Sequence, residues 1–409
     1  MSCNIEHVIT LARSTPPILA MGAWFNNTLC ITSGDQAHIS KSVGHLDTPD
    51  ACREHESIAR ELLGVLGEKP HAIAHDLHPD FHSSRFAAQL AAELDVPLIA
   101  VQHHHAHIAA VCAEHHFDQP ILGLALDGVG LGTDGTAWGG ELLQVGWACA
   151  CVVRALAPYN HGLPLADAAQ PAGLKSDLQK LHGECERIGH LYPLSLPGGD
   201  RAANEPWRMA AAVLHELGRN EEIAPRFASQ PAAKTVASML QRHLNCPRTS
   251  SMGRVFDAAT GLLGLCPVME FDAQAAITLE QAATRHINTH GMPTALMEGW
   301  RVSAEGQLDL LPTLAYLATE KDAERGAAIF HITLIAALAN WVTLASQRTG
   351  ITTIACGGGC FFNKLLNTGL RTQLESSGLT MLTSQKLLPG DTAIALGQAW
   401  VASKLFKNT

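Results

Sequence analysis

The sequence predicts an α/β protein built from two related lobes. Two stretches are typical of β-hairpins with glycine at or near the bend, the first at 16–33 and the second at 121–146. Between them, helical patterns alternate with short apolar runs, as in α/β domains. A length of 409 residues with 47% apolar content is enough for two cores. The two hairpins share no sequence identity. We therefore predict that the lobes are related in their structure only.

The first lobe is expected over 16–118. Its hairpin consists of the apolar run 16–22, the turn 23–27 and the return strand 28–33, with Gly22 at the bend. Residues 1–15 fit no clear pattern and are assigned to an N-terminal extension. The hairpin is followed by two helical patterns and two buried-strand candidates, which we place at 57–69, 83–95, 71–77 and 97–102.

The second lobe is expected over 119–391, with the C-terminal helix 392–409 returning to close the first. Its hairpin passes from 121–128 through a glycine-rich loop and back along 136–146, and 150–158 is a candidate third strand. An insertion is predicted around 160–200, containing one helical stretch at 176–188.

The remainder of the second lobe is predicted to be mainly helical. The helical patterns extend from 205 to about 265 and over 323–349, with Gly350 as a stop signal, and a strand, glycine turn and helix follow from 351. The long apolar stretch 327–346 contains His331 and Asn340 and is predicted to be a buried helix and not a membrane span.

Charge and cysteine content narrow the class of protein. With 28 basic and 38 acidic residues the net charge is -10, which does not favour nucleic acid as a partner. The 11 cysteines include no CxxC pair, and the opening residues lack a signal-peptide pattern. We therefore expect reduced thiols, a cytoplasmic location and no membrane partner.

A histidine-rich segment at 101–116 is a candidate metal site. His103 and His107 are four residues apart on a predicted helix, so both imidazoles share one face and can reach one ion. The glutamate of an HExxH motif is absent. The alternative is a helix that is merely rich in histidine.

Asp127 ends a predicted buried strand just before the glycine-rich loop. A carboxylate at the carboxyl end of a strand commonly meets phosphate or metal, although it can equally shape its own turn. Gly128 and Gly130 would let backbone N–H groups approach a phosphate, or would simply close the hairpin.

Two later segments add further candidates. Gly358 and Gly359 lie between a strand and a helix, with Asn363 nearby to hydrogen-bond a nucleotide. Asp391 precedes a helix of small residues, where a helix cap is the simple explanation. The sequence has no GxSxG elbow, which favours transfer of an acyl group to an external acceptor over a covalent enzyme intermediate.

Taken together, these features resemble the carboxyl-terminal module of the HypF hydrogenase-maturation proteins, which is itself similar to the TsaD family of threonylcarbamoyl transferases. The resemblance covers about residues 17 to 400 in order. Six segments carry it most specifically: 75–87, 101–110, 126–141, 196–210, 250–265 and 395–400.

The resemblance implies a duplicated actin-like ATPase fold of the ASKHA, RNase H-like type, with a nucleotide and metal cleft between the lobes. It implies one divalent metal (iron, zinc, manganese or magnesium) and ATP or carbamoyl-adenylate as ligands. The implied metal ligands are His103, His107, Asp127 and Asp391. The implied nucleotide contacts are Gly128 and Gly130 for the phosphates, Gly253 and Asp257 for the ribose, and Gly358, Gly359 and Asn363 for the adenosine.

The resemblance further implies an activity. In the family, carbamoyl phosphate and ATP give carbamoyl-adenylate, and this module passes the carbamoyl group to the C-terminal cysteine thiol of HypE for the cyanide ligands of NiFe hydrogenases. HypF proteins carry acylphosphatase, zinc-finger and YrdC-like domains ahead of the module, and no such segments are recognised in this sequence. We therefore expect the adenylate to come from a YrdC-like activity supplied elsewhere.

Two other functions remain open at this stage. One is a nucleotide-binding scaffold that docks HypE without turnover, since Trp24 and Asn26 occupy hairpin positions where the family pattern has an acidic residue and a lysine. The other is threonylcarbamoyl transfer to tRNA, against which the acidic net charge counts.

Overall fold

The computed structural model describes residues 4–146 and 185–406, and it contains two β-sheets. The first sheet has the order β1-β3-β2-β4-β5. Its strands are β1 Ile5–Thr15, β2 Ile18–Ala20, β3 Cys30–Ser40, β4 Ala72–Asp76 and β5 Leu98–Val101. The accompanying helices are α1 Pro49–Leu66, α2 His82–Leu94 and α3 His103–Glu114.

The second sheet has nine strands, with the order β11-β12-β8-β7-β6-β13-β14 and with β10 pairing to β7 and β9. Its long strands are β6 Ile121–Leu131, β7 Ala137–Val145 and β8 Cys185–Leu191. The others are β9 Leu194–Ser195, β10 Arg248–Thr249, β11 Arg301–Val302, β12 Gln307–Asp309, β13 Thr353–Gly357 and β14 Thr380–Thr383.

Helices cover the second sheet and connect its strands. They are α4 Asp200–Asn204, α5 Pro206–Glu216, α6 Ile223–Arg226, α7 Ala233–Arg242, α8 Met252–Leu262, α9 Gln274–His290, α10 Leu311–Leu317, α11 Ala323–Thr349 and α12 Lys364–Ser376. The last helix, α13 Ile394–Ser403, packs against the first sheet instead. Three 3₁₀ segments lie at Asn220–Glu222, Gly359–Phe362 and Asp391–Ala393. We call the first sheet with α1, α2, α3 and α13 the first lobe, and the remainder the second lobe.

The two sheets share one strand order. In the first lobe the hairpin β2–β3 continues from β2 into two parallel strands, β4 and β5, while β1 flanks β3 in antiparallel pairing. In the second lobe the hairpin β6–β7 continues from β6 into parallel β13 and β14, while antiparallel β8 flanks β7. This repetition confirms the expected duplicated actin-like fold.

The N-terminal segment differs from expectation. The sequence shows no clear pattern over 1–15, which we assign to an N-terminal extension, whereas Ile5–Thr15 is an edge strand paired with β3. The strand was missed because half of its residues face solvent and polar side chains interrupt the apolar alternation. It fills the position in the first sheet that β8 fills in the second.

The predicted insertion around 160–200 also needs correction. The helical stretch expected at 176–188 is wrong over its last four residues, which lie in β8 and pair with β7. The sheet therefore resumes at Cys185, inside the expected insertion. The candidate third strand at 150–158 and the rest of that helical stretch lie outside the described residues.

The long apolar helix is part of the core, as predicted. Helix α11 is long and apolar enough to cross a membrane by length and composition alone, but 72% of its most apolar window is buried within the protein. Its apolar face packs among the helices of the second lobe. It ends at Gly350, whose φ of +74° gives the left-handed C-cap expected of a stop signal.

A central pair of helices joins the lobes. Every residue of α3 and of α13 is buried, and the two helices share a core with strands of both sheets. Their backbones approach closely because residue 397 is glycine: a β-carbon there would lie 1.8 Å from the carbonyl oxygen of Ala106. The segment 395–400 is thus explained by packing, and the amino ends of both helices come together.

Candidate metal and nucleotide site

Four predicted residues meet where the amino ends of α3 and α13 approach the end of β6. His103 and His107 lie on α3, Asp127 lies on β6, and Asp391 opens the 3₁₀ turn before α13. One ligand atom from each side chain lies within 4.8 Å of every other. Residues from 103 to 391 in the chain therefore converge on one small volume.

The histidines face the carboxylates through their Nε2 atoms. Both Nε2 atoms lie 3.3 Å from Oδ2 of Asp127. Oδ1 of Asp391 lies 3.8 Å from Nε2 of His103 and 3.7 Å from that of His107. The two rings are one helical turn apart, with centroids separated by 4.9 Å, as the four-residue spacing predicts.

Asp127 does not shape its own turn, which was the alternative to a site role. Its Oδ1 accepts the backbone N–H of Gly359 at 2.9 Å, across the sheet from the turn after β13. This bond orients the carboxylate, so that Oδ2 faces both histidines.

Asp391 is not a helix cap either. The N-cap position of the 3₁₀ turn is occupied by Gly390 and not by Asp391. No side-chain capping hydrogen bond is found there among the described residues. The loop before it is held by the buried carboxylate of Glu114 at the end of α3, which accepts the N–H groups of three successive residues at 2.7 to 3.0 Å: Gln385, Lys386 and Leu387. Helix α3 therefore carries two site residues and also fixes the loop that presents a third.

The ionisation of the cluster follows from burial and mutual contact. Burial opposes charge on Asp127, but hydrogen bonds from His103 and His107 hold its pKa well below the usual range. Burial raises the pKa of Asp391 to about 6, against the effect of the His103 charge. Burial disfavours the charged form of His103, yet Asp76 and Asp127 raise its pKa well above the usual value. Protons thus balance these carboxylates, a role that a divalent cation would take over if one bound there.

The donor set fits a divalent metal. Two imidazole nitrogens and two carboxylate oxygens suit iron, zinc or manganese, and magnesium less readily because it prefers oxygen. The fit is supported by Asp76, whose Oδ2 lies 2.7 Å from Nδ1 of His103. Sequence reasoning missed Asp76, although it lies within the segment 75–87 and ends strand β4, the signal that drew attention to Asp127.

The glycine-rich loop divides into a packed part and an open part. A β-carbon at Gly130 would lie 2.7 Å from Cδ2 of His103 and from Cε1 of His104, so this glycine is needed for the histidines to pack. Within the described residues, no atom lies within 4 Å of a β-carbon placed at Gly128. Of the two predicted phosphate contacts, Gly128 therefore has the space for a ligand.

The predicted ribose residues lie beside that opening. A β-carbon at Gly253 would lie 3.0 Å from the Cα of Gly128, and Oγ of Ser251 donates to the carbonyl of Gly128. Asp257 is buried one turn further along α8 and pairs with Arg254 at 2.7 Å. Burial raises the pKa of Asp257 to about 6, opposed by Arg254.

The predicted adenosine residues form the turn after β13. Gly358 has a φ of +102°, and a β-carbon at Gly359 would lie 3.1 Å from Oδ1 of Asp127, so both positions favour glycine for structural reasons. Asn363 caps α12 by accepting the N–H of Leu366 at 2.9 Å, and its amide lies 2.9 Å from Nε2 of the buried His331. The turn is thereby fixed next to the cluster of His103, His107, Asp127 and Asp391.

A second network, which sequence reasoning missed, supports the same loops. Glu141 on β7 is fully buried and accepts the N–H groups of Gly139 and Gly140 as well as Nε–H of Arg187. Arg187 on β8 also reaches Asp134 in the glycine-rich loop at 3.3 Å. In the sequence, the only sign of this network was that Asp134 and Glu141 both lie within the segment 126–141.

Two lobes of one strand order, with a candidate site between them at the amino ends of two helices, define the actin-like ATPase fold. The sequence matches two family profiles. One is the HypF Kae1-like domain over residues 13–114, and the other is the carbamoyltransferase Kae1-like domain, second subdomain, over 123–172 and 178–398. The chain belongs to the HypF carbamoyltransferase family.

Several relatives share this similarity. The chain is 48% identical to carbamoyltransferase HypF2 of Cupriavidus necator, over 98% of this chain and 48% of that protein. It is 45% identical to a carbamoyltransferase HypF homolog of the same organism, over 95% of this chain and 92% of that protein. Carbamoyltransferase HypF of Rhizobium leguminosarum bv. viciae is 35% identical, over 99% and 47%. The chain thus spans about half the length of two of these relatives.

Solved structures agree. The chain superposes with a TM-score of 0.79 at 28% identity on full-length HypF in its phosphate- and nucleotide-bound form, over 98% of this chain and 48% of that one. HypF of T. kodakarensis gives a TM-score of 0.80 at 25% identity, over 97% and 48%. The fold and the family are thus established by sequence and structure together.

Proposed function

We propose that this protein transfers a carbamoyl group from carbamoyl-adenylate to the C-terminal cysteine thiol of a HypE-type acceptor, in the maturation of NiFe hydrogenases in the cytoplasm. The observation that carries the proposal is the four-residue cluster of His103, His107, Asp127 and Asp391 beside the open Gly128. The proposal is also supported by the family of this chain, whose named relatives are carbamoyltransferases.

In this proposal the cluster holds one divalent metal, which would neutralise charge on nucleotide phosphate oxygens. Gly128 offers backbone and space to those phosphates, since no described atom fills its β-carbon position. Gly130 is also proposed to contact the phosphates through its backbone, and its lack of a side chain lets His103 lie against the loop.

Further residues would hold the nucleoside. Asp257 would accept hydrogen bonds from the ribose hydroxyls, with Gly253 allowing close approach. Gly358, Gly359 and Asn363 would border the adenosine, on a turn whose position is fixed by Asp127 and His331. A ligand bound in this way would touch both the hairpin of the second lobe and the turn after β13.

The transfer step balances without a covalent enzyme intermediate. The acceptor sulfur attacks the carbonyl carbon of the carbamoyl group, a C–S bond forms, and the C–O bond to phosphate breaks. AMP leaves with the electron pair, and the thiol proton passes to solvent. The acidic net charge of -10 suits a protein acceptor better than tRNA.

The source of carbamoyl-adenylate belongs to the proposal. We infer that it is made from carbamoyl phosphate and ATP by a YrdC-like activity outside the segment described. The test is mass spectrometry of HypE after incubation with this protein, ATP, magnesium and carbamoyl phosphate, with and without an added YrdC-type domain. Carbamoylated HypE only with that domain is expected. Unmodified HypE in both mixtures, although ATP is bound, would contradict the transferase.

A scaffold that docks HypE without turnover is the second candidate. It is favoured by the hairpin tip of the first lobe, where Trp24 packs against Phe81 with ring centroids 5.7 Å apart and no lysine is present to meet a phosphate. Transfer with carbamoyl-adenylate supplied directly separates the two candidates, because a scaffold would bind the adenylate and leave HypE unmodified.

A further inference from the structure

We propose that Asp76 is a positioning residue, which fixes the tautomer of His103 that can bind a metal and so sets the metal affinity of the cluster. The inference rests on the proposed function, because it presupposes that the cluster holds a metal. Asp76 is not one of the four grouped ligands. It acts through His103.

The contacts of Asp76 leave its carboxylate little freedom. The residue ends β4 and is fully buried. Its Oδ1 accepts the backbone N–H of His78 at 2.9 Å, and its Oδ2 accepts Nδ1–H of His103 at 2.7 Å. Its own carbonyl accepts the hydroxyl of Ser84 at 3.1 Å. Both oxygens are thus committed in different directions.

The turn after β4 reinforces this arrangement. The His78 ring lies stacked on Phe81, with centroids 4.3 Å apart and planes 6° from parallel. The bond from His78 to Asp76 closes an Asx-type turn, which fixes the side chain relative to the strand. The orientation of Asp76 is therefore set by its surroundings before any ligand binds.

The consequence for His103 is chemical. A neutral imidazole carries one N–H, and an ionised carboxylate can only accept, so Nδ1 of His103 must carry the proton. When a metal replaces the proton on Nε2, the lone pair of Nε2 faces the space beside Asp127, whose Oδ2 lies 3.3 Å away, and Asp391. A carboxylate behind a ligating histidine orients the ring and raises its basicity, and its loss typically costs about 10- to 100-fold in metal affinity.

The substitution Asp76→Asn tests the tautomer specifically. If the amide oxygen stays on the N–H of His78, the amide nitrogen faces Nδ1 of His103 and must donate to it, which moves the ring proton to Nε2. If the amide flips, its nitrogen meets the N–H of His78 and that bond is lost. Either arrangement penalises the metal-binding tautomer while side-chain size is nearly unchanged.

The experiment is Co²⁺ titration of the full chain without nucleotide or acceptor, followed by the visible absorption of the bound ion. Asp76→Asn should bind about 10- to 100-fold more weakly than the parent. Asp80→Asn, on the exposed part of the same turn, should bind like the parent. Thermal unfolding of the metal-free proteins shows whether Asp76→Asn remains folded.

A double-mutant cycle separates positioning from a general structural effect. In a His103→Ala background, Asp76→Asn should cause no further loss of Co²⁺ affinity, because its effect passes through the removed ring. An additional loss of equal size would overturn the inference, as would parent-like affinity of Asp76→Asn alone. A parent protein that binds no Co²⁺ would overturn both this inference and the metal role proposed above.

Discussion

The hairpins of the two lobes occupy the same place in their sheets but differ in the polarity of the side chain that precedes the glycine. In the first lobe the chain leaves β2 through Met21 and Gly22, and Met21 is fully buried. In the second lobe the chain passes along β6 through Asp127 and Gly128, where a carboxylate precedes the glycine. The same strand order thus carries an apolar side chain in one lobe and a charged one in the other.

The surroundings of the two bends differ in the same way. In the first lobe the carbonyl of Met21 accepts from Asn27 at 2.9 Å and lies 3.1 Å from Nε2 of His55, and Gly22 is paired through both its N–H and its carbonyl with Gln398. In the second lobe the side of Gly128 is open in the described structure. The first hairpin is held by protein groups, whereas the second is available to a ligand.

The largest expected effect concerns the helix pair that joins these lobes. Gly397→Ala places a methyl group 1.8 Å from the Ala106 carbonyl, so we expect a loss of more than about 3 kcal/mol in the free energy of unfolding. Gly64→Ala on α1 has open space within the described residues and should stabilise by about 0.5 to 1 kcal/mol. Urea denaturation measures both, and a neutral Gly397→Ala would contradict the close crossing.

The contrast between Asp127 and Met21 is tested by substituting each. Asp127→Ala removes a proposed ligand and should weaken Co²⁺ binding by about 100-fold or more, beyond the range of an outer partner. Met21→Leu should leave Co²⁺ affinity unchanged and alter stability by less than about 1.5 kcal/mol. Equal effects of the two substitutions on metal affinity would remove the distinction between the hairpins.

Acid should loosen the first hairpin through His55. Burial lowers the pKa of His55 to about 4 from an ordinary value of 6.5, so the unfolded chain binds the proton more readily. The stability contributed above pH 6.5 is lost as the pH falls from 6.5 to 4, by up to about 3 kcal/mol. His55→Gln should shrink the acid-side loss in denaturation series. Burial also lowers the pKa of His331, in the second lobe, to about 4. The loss of stability in acid that comes from His331 should therefore remain in the His55→Gln variant.

The smallest expected effects distinguish two glycines of one loop. Gly130→Ala should cost about 1 to 3 kcal/mol, because its methyl group meets His103 and His104 at 2.7 Å. Gly128→Ala should change the stability of the ligand-free protein by no more than about 0.5 kcal/mol, since its side is open. Calorimetric ATP titration then shows whether Gly128→Ala weakens nucleotide binding, as the proposed phosphate contact requires.

Much of this arrangement could be predicted from sequence. The spacing of His103 and His107 and the position of Asp127 at a strand end gave local reasons for a site, while the link to Asp391 came from the family resemblance. Strand periodicity located both hairpins but not β1, whose less exposed face includes the polar His7 and Arg13 and whose exposed face includes the apolar Val8.

Contacts between parts of the fold that are distant in the sequence were harder to predict. Asp76 acquires its partner only when β4 lies beside α3, and Gly130 acquires its packing role only when the loop meets the histidines. Gly397 was visible within the segment 395–400, but its reason is a carbonyl on another helix. Such dependencies arise from tertiary packing, which periodicity and motif spacing do not encode.

The most direct test of the proposed metal site is X-ray absorption spectroscopy of the Zn²⁺-loaded protein, compared with the His103→Ala variant. In that site two histidines and two aspartates, brought together by the duplicated fold, bind one metal. We therefore expect only nitrogen and oxygen neighbours around the zinc, with imidazole scattering from two rings that falls to one ring in the variant. A sulfur neighbour, or a spectrum that His103→Ala leaves unchanged, would contradict it.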